Sequence, residues 1–199
     1  MAKMFSPSNS ALVLIDHQFG TMQLIKNLPL EQVKRNTLAL ARAAQILKIP
    51  AVITSSQEDR LQGAMLPDLR EFLPEAFAAR VKRLGVVNAW DDPAFKSAVE
   101  NLGRRNLIMA GVTTDVCLVY PAITAMEMGY QVQAVMDASG SPFELSEALA
   151  QQRMRDAGVV LTATNTMIAE LGYDWSRPGG MELLELLFTK VLPPIKPAA

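Results

Sequence analysis

The sequence predicts an α/β protein, a doubly wound, Rossmann-like and mostly parallel sheet of about six strands flanked by helices, in a single domain over residues 1–199. Three observations predict it. Short continuous apolar runs recur along the chain, as strands buried on both faces require. Each run is followed by residues with helical apolar spacing, so strands and helices alternate. The 199 residues, half of them apolar, suit one sizeable core, and neither a break in composition nor an internal repeat marks a second domain.

Taken in order, Ala11-Leu-Val-Leu-Ile-Asp16 reads as the first buried strand. From Leu30 to Leu47, apolar Val33, Leu38, Ala41, Ala44 and Ile46 fall broadly on one side of a helix. Ile49-Pro-Ala-Val-Ile-Thr54 is the second strand, and Phe77 to Arg83 a weaker third. Between them, Ser55 to Ala76 carries no convincing strand or long helix. A connection of that length is expected to be a functional lid or binding loop, or to pack against a neighbouring subunit. Asp92-Pro93 opens the next helix, with Asp as N-cap and Pro at the first helical position, and Gly103 closes it.

Asn106-Leu-Ile-Met-Ala110 is the fourth strand. A helix follows from Cys117 to about Met128, with Gly129 placed for a left-handed cap. Gln131 to Met136 is the fifth strand, and Ser141-Pro-Phe-Glu144 is a capping box that starts a helix ending near Gly158. Val159-Val-Leu-Thr162 is the sixth strand, and Thr164 begins another helix. The core is expected over about residues 10–175. Residues 176–199 hold a final amphipathic helix, Met181 to Lys190, and a loosely held Pro-rich tail.

Composition removes several function classes. With 19 basic and 20 acidic residues and no Lys/Arg run, nothing is available to neutralise a phosphate backbone, so nucleic acid is not an expected partner. The longest apolar runs are strand-length, far short of the ~20 residues that span a bilayer, so no membrane is expected. A lone cysteine forms no internal disulfide and no secretory leader is evident, so a cytoplasmic location is expected. One histidine and one cysteine do not make a His/Cys zinc site, and no metal or cofactor is expected. No G-x-G-x-x-G follows the first strand, where Asp16-His-Gln-Phe-Gly20 stands, which argues against a dinucleotide.

Open parallel sheets bind ligands beyond the carboxyl ends of their strands, and three reactive positions fall there. Asp16 ends the first strand, Lys82 and Arg83 the third, and Cys117 follows the fourth. Singly, each has an ordinary reading: a turn-forming acid, a solvated cationic edge, a small buried hydrophobe. Together, on neighbouring strands, they would bring an acid, a cation and a thiol into one crevice. In the first turn of a helix, Cys117 would meet unpaired backbone N–H groups and the positive end of the helix dipole, which favour thiolate. His17 is expected to point to the opposite face from Asp16 and to act in packing or hydrogen bonding.

The segments Leu12-Val-Leu-Ile-Asp16-His-Gln18, Lys82-Arg-Leu-Gly-Val-Val-Asn-Ala-Trp90 and Gly111-Val-Thr-Thr-Asp-Val-Cys117 resemble the three signature segments of the isochorismatase-like cysteine hydrolases. Asn88-Ala-Trp90 and Asp137-Ala-Ser-Gly140 resemble its YcaC-like branch. The resemblance implies an isochorismatase-like hydrolase fold and an Asp–cation–Cys triad: Asp16 as general base, Cys117 as nucleophile, and Arg83, or alternatively Lys82, as the cation. It also implies a cis peptide at Val112–Thr113, whose backbone would form an oxyanion hole with the amide of Cys117. Phe19, Trp90 and Tyr120 are candidates for lining the substrate pocket.

The chain lacks the histidines with which nicotinamidases of this superfamily build a metal site. Cys117 favours C–N or acyl hydrolysis over the vinyl-ether cleavage of isochorismatases proper. The expected activity is therefore metal-independent hydrolysis of a small amide or related acyl compound through an acyl-enzyme. The alternative is a thiol-based binding or redox-sensing protein on the same fold. A homo-oligomer, tetramer or octamer, follows from the resemblance alone.

Overall fold

Every residue of β1 (Ser10–Ile15) is buried in the computed structural model, which describes residues 4–195. Alternation divides the strand between two cores: Leu12 and Leu14 face one, while Ala11, Val13 and Ile15 face the other. Each of the Leu, Val and Ile side chains, fully buried, contributes on the order of 1.5–3 kcal/mol, so both faces must be covered.

The remaining elements do this. After β1 come α1 (Phe19–Met22), α2 (Leu30–Ile46), β2 (Ala51–Ser56), α3 (Leu69–Phe72), α4 (Pro74–Ala78) and β3 (Val81–Arg83). Then follow α5 (Pro93–Glu100), β4 (Asn106–Gly111), a π-helical turn (Thr114–Leu118), α6 (Val119–Glu127) and β5 (Gln131–Val135). The chain closes with α7 (Glu144–Asp156), β6 (Val160–Thr162), α8 (Thr164–Gly172) and α9 (Gly180–Leu186), which runs into a π-helical turn at Leu187–Val191. Val33 and Leu40 of α2, Ile168 of α8 and Leu183 of α9 fill the first core. Phe95 of α5, Val119 and Ala122 of α6 and Met154 of α7 fill the second.

The six strands form one parallel sheet in the order β3-β2-β1-β4-β5-β6. Winding runs outward from β1 to β3, then returns to β4 on the other side of β1. The order therefore reverses between β1 and β4, and a crevice opens there beyond their carboxyl ends.

Several expected elements differ in detail. The third strand is confined to Val81–Arg83, because Pro74 starts a helix where extended chain was expected. Ser141 does not cap α7. Its hydroxyl donates to Glu147 Oε2 at 2.6 Å, and Phe143 occupies the N-cap position with no side-chain cap. The α5 cap is as read: Asp92 Oδ1 accepts from the amides of Ala94 and Phe95 at 2.9 and 3.1 Å. Gly129 takes φ +84° at the end of α6. The end of the Pro-rich tail, residues 196–199, lies outside the described residues.

The Ser55–Ala76 segment is not a free lid. It contains α3 and the start of α4, and its middle is tied to the chain after β1. The amides of Phe19 and Gly20 donate to the carbonyls of Ala64 and Gln62, each at 2.9 Å, and the Leu66 amide to that of His17 at 2.9 Å. Gly20 is required by this approach, since a Cβ there would lie 1.8 Å from the Leu61 carbonyl oxygen. Gln18 adds a side-chain tie, bonding the Gly63 carbonyl at 2.6 Å and the Ser56 carbonyl at 2.8 Å.

Candidate active site

β1 stops one residue before Asp16, whose φ of +57° turns the chain out of the sheet; Asp is among the few residues with a side chain that adopt this region readily. The Asp16 amide still donates to the Thr54 carbonyl at 2.9 Å, which holds the turn against β2. The carboxylate is almost wholly buried, at 1 % residue exposure.

Its partner comes from two strands away. Register pairs Ser55 with Lys82 and Ser56 with Arg83, and side chains alternate in direction along β3. Arg83 therefore turns into the protein, at 2 % exposure, and spans β2 to reach Asp16. Its Nη2 donates to both carboxylate oxygens, 2.6 Å from Oδ1. Nη1 donates to the Val86 carbonyl at 2.6 Å, and Nε to Thr54 Oγ1 at 3.1 Å. Lys82 points the other way. It lies 3.3 Å from Glu58, whose carboxylate also accepts from Arg80 at 2.7 and 3.0 Å. The Arg80 bonds, above all, hold the Glu58 carboxyl down at about 2. Of the two candidate cations, only Arg83 meets Asp16.

Cys117 arrives from β4. The Gly111 amide bonds Ser139 Oγ at 3.1 Å, the Val112 amide bonds the Ile15 carbonyl at 3.0 Å, and the Thr114 amide bonds the Gly140 carbonyl at 2.9 Å. These ties dock the strand end between β1 and the Asp137–Gly140 segment. The Val112–Thr113 peptide is cis. The chain then enters the π-helical turn, and Cys117 lies within it, ahead of α6.

This placement corrects the sequence expectation in two ways. The Cys117 amide is already bonded to the Thr113 carbonyl at 2.8 Å, so it does not point freely at a ligand. Nor is thiolate the favoured resting form. Burial raises the half-buried thiol well above its ordinary range, and the charge of Asp16 and a hydrogen bond to it add to the effect. The Thr113 backbone contact and Arg83 oppose the rise only in part. Burial also raises the Asp16 carboxyl, against the charge and hydrogen bonds of Arg83 and the bond with the Cys117 thiol. The resting arrangement is a neutral thiol beside the Asp16 carboxyl group, which Arg83 holds.

The other candidates separate. His17 is fully buried, with Nε2 2.9 Å from the Ala138 carbonyl and Nδ1 without a partner. Burial lowers its pKa to about 4, so it is a neutral packing residue. Trp90 is a core residue, 5 % exposed. Its indole N–H donates to the Pro121 carbonyl at 2.8 Å, and its ring packs against Phe95 and Tyr130. Half-buried Tyr120 lies under the Arg153 guanidinium of α7 at 5.1 Å. Phe19 stands 64 % exposed beside the β1 end.

Thr54, Gln18 and Ser139 were missed from the sequence. The available signal was a polar residue at the end of an otherwise apolar run, a position that a parallel sheet directs toward its ligand crevice. A groove of about 970 Å³ lies elsewhere, between α2, α3 and α9, and includes none of Asp16, Arg83 or Cys117. Among the described residues, no helix is long and apolar enough to cross a membrane, and no three His, Cys, Asp or Glu side chains are grouped to hold a metal ion.

Residues 10–166 match the model of the isochorismatase domain. The chain is 35% identical to the probable hydrolase YcaC of Escherichia coli (strain K12) over 186 residues, covering 94% of this chain and 88% of that protein. A structure of YcaC from Pseudomonas aeruginosa, with hexane-2,5-diol and covalent acrylamide, superposes with a TM-score of 0.88 at 35% identity, over 94% of this chain and 92% of that one. The Escherichia coli YcaC structure, described as an octameric hydrolase of unknown specificity, gives a TM-score of 0.90 at 33% identity, over 96% and 92% of the two chains.

Proposed function

The chain belongs to the isochorismatase family as a YcaC-like hydrolase, and we propose that it hydrolyses a small amide or related acyl compound through Cys117, Asp16 and Arg83. The observation that carries this reading is the position of Asp16, whose carboxylate is bonded to the Arg83 guanidinium and whose charge acts on the nearby Cys117 thiol. A neutral thiol with its base close by needs no resting thiolate. The proton passes to Asp16 as Sγ forms its bond to the substrate carbonyl carbon.

In the tetrahedral intermediate, Asp16 returns that proton to the leaving nitrogen, the C–N bond breaks, and a thioester remains. Water then attacks the thioester with Asp16 taking its proton. The C–S bond breaks and the thiol is restored. Arg83 keeps its charge throughout and steadies the carboxylate; arginine is too basic to relay the proton. The Val112 and Cys117 amides are spent on the Ile15 and Thr113 carbonyls, so this reading retains the Thr113 amide as the backbone donor to the oxyanion.

The covalent acrylamide in the Pseudomonas aeruginosa relative supports an alkylatable nucleophile in that protein. The octameric Escherichia coli relative supports a homo-oligomer of four or eight copies here, in which exposed Leu61, Leu84 and Phe143 would be covered. A single catalytic domain in the cytoplasm completes the proposal.

Intact-mass analysis after incubation with a panel of small amides tests it. The wild type should carry an acyl adduct on Cys117, and Asp16→Asn should lose acylation while iodoacetamide still alkylates the thiol. A protein that never acylates, yet is oxidised at Cys117 by stoichiometric peroxide, would instead be the thiol sensor.

A further inference from the structure

We propose that Thr54 is a positioning residue, whose hydroxyl fixes the rotation of the Arg83 guanidinium and thereby the geometry of the Asp16–Arg83 pair at Cys117. The inference rests on the reading of those three residues as the reacting group. It starts from a buried hydroxyl that bonds both the Val81 carbonyl and the Arg83 guanidinium.

Thr54 lies on β2 between the strands that carry Asp16 and Arg83, and is fully buried. Its Oγ1 donates to the Val81 carbonyl at 2.8 Å. A hydroxyl has one proton, so this bond orients its lone pairs, and one of them accepts the Arg83 Nε–H at 3.1 Å.

A guanidinium is a rigid plane, and two contacts on different nitrogens fix its rotation. The Val86 carbonyl takes Nη1 and Thr54 takes Nε, which leaves Nη2 aimed at both oxygens of Asp16. Without the Thr54 acceptor, Nε–H is buried with no partner, and the plane can relieve this only by turning. Turning withdraws Nη2 from Asp16. The carboxylate charge beside Cys117 is then less compensated, and thiolate forms at higher pH.

The test is the pH profile of Cys117 alkylation by iodoacetamide in the oligomer as purified, for wild type, Thr54→Val, Thr54→Ser and Asp16→Asn. Valine matches threonine in shape and strand preference, so Thr54→Val removes the hydroxyl at little cost to packing. Its midpoint should move up, with alkylation near neutral pH slowed about tenfold, the scale of one hydrogen bond to a charged group. Thr54→Ser should restore the wild-type profile, which a purely structural role for the methyl group would not. Asp16→Asn should move the midpoint down, because it removes the negative charge beside the thiol.

If Asp16→Asn leaves the profile unchanged, the triad reading fails and this inference fails with it. If Asp16→Asn moves the profile and Thr54→Val does not, the inference alone is overturned. Should Thr54→Val not fold, as judged by circular dichroism and urea unfolding, Thr54→Ala takes its place with the same expected shift.

Discussion

Lys82 and Arg83 are adjacent on one three-residue strand, yet they build ion pairs of opposite kind. Arg83 meets Asp16 where both side chains are 2 % exposed or less, and the guanidinium is bonded on all three nitrogens. Lys82 meets Glu58 with its own side chain 59 % exposed, sharing that carboxylate with Arg80. The difference shows that burial, more than the presence of opposite charges, decides what a pair can do. The buried pair sets an acid, with its cation bonded to it, next to a thiol. The outer pair ties the start of the loop after β2 to β3.

The largest expected effect breaks the buried pair. Arg83→Ala strands the Asp16 carboxylate without its cation and should cost about 3–5 kcal/mol of stability at neutral pH. The loss should shrink in acid, where Asp16 can take a proton. Urea unfolding at several pH values measures both. A loss no greater than that of an exposed lysine would abolish the contrast between the two clusters.

His17 sharpens the comparison, because it is fully buried and its Nδ1 has no hydrogen-bond partner. Folded, its pKa is about 4, against about 6.5 in an unfolded chain. Between those values the unfolded state binds the proton and the folded state does not, so stability falls as pH falls through that window and levels off below it. The contribution is about 3 kcal/mol, at roughly 1.4 kcal/mol per pH unit. Asp16, with its raised folded pKa, has the opposite sign and stabilises as it takes its proton. The difference in acid stability between wild type and His17→Gln isolates the histidine. Parallel curves would show that His17 is not held neutral.

The smallest effect belongs to the outer pair. Lys82→Ala should change stability by no more than about 0.5 kcal/mol and leave the Cys117 alkylation profile in place. Arg80 remains to hold Glu58. A shifted profile in Lys82→Ala would mean that the exposed cation reaches the site after all.

The two clusters also mark how far the sequence could be read. Apolar period and cap chemistry are local, and they located all six strands and most long helices, with Asp92 and Gly129 at the ends where they belong. Strand ends in a parallel sheet direct side chains to one crevice, which is why Asp16 and Cys117 stood out as candidates before any contact was known. Local pattern misled where a motif had a stronger distant partner. Ser141 matches a capping box, yet its hydroxyl is bonded to Glu147. Trp90 sits in a signature segment, yet its indole is tied into the core by the Pro121 carbonyl.

What the sequence by itself determined is therefore the alternation of elements, the doubly wound class, and the acid and thiol at strand ends, because these follow from residue type and short-range spacing. Tertiary structure decided the rest. The choice of Arg83 over Lys82 depends on the register of β3 against β2 and on which face each side chain takes. The orienting bond from Thr54 joins residues 29 apart in the chain. The neutral resting thiol depends on burial and on the charge of Asp16, which overcome the pull toward thiolate expected of a helix start. Register, desolvation and long-range pairing exist only once the chain has packed.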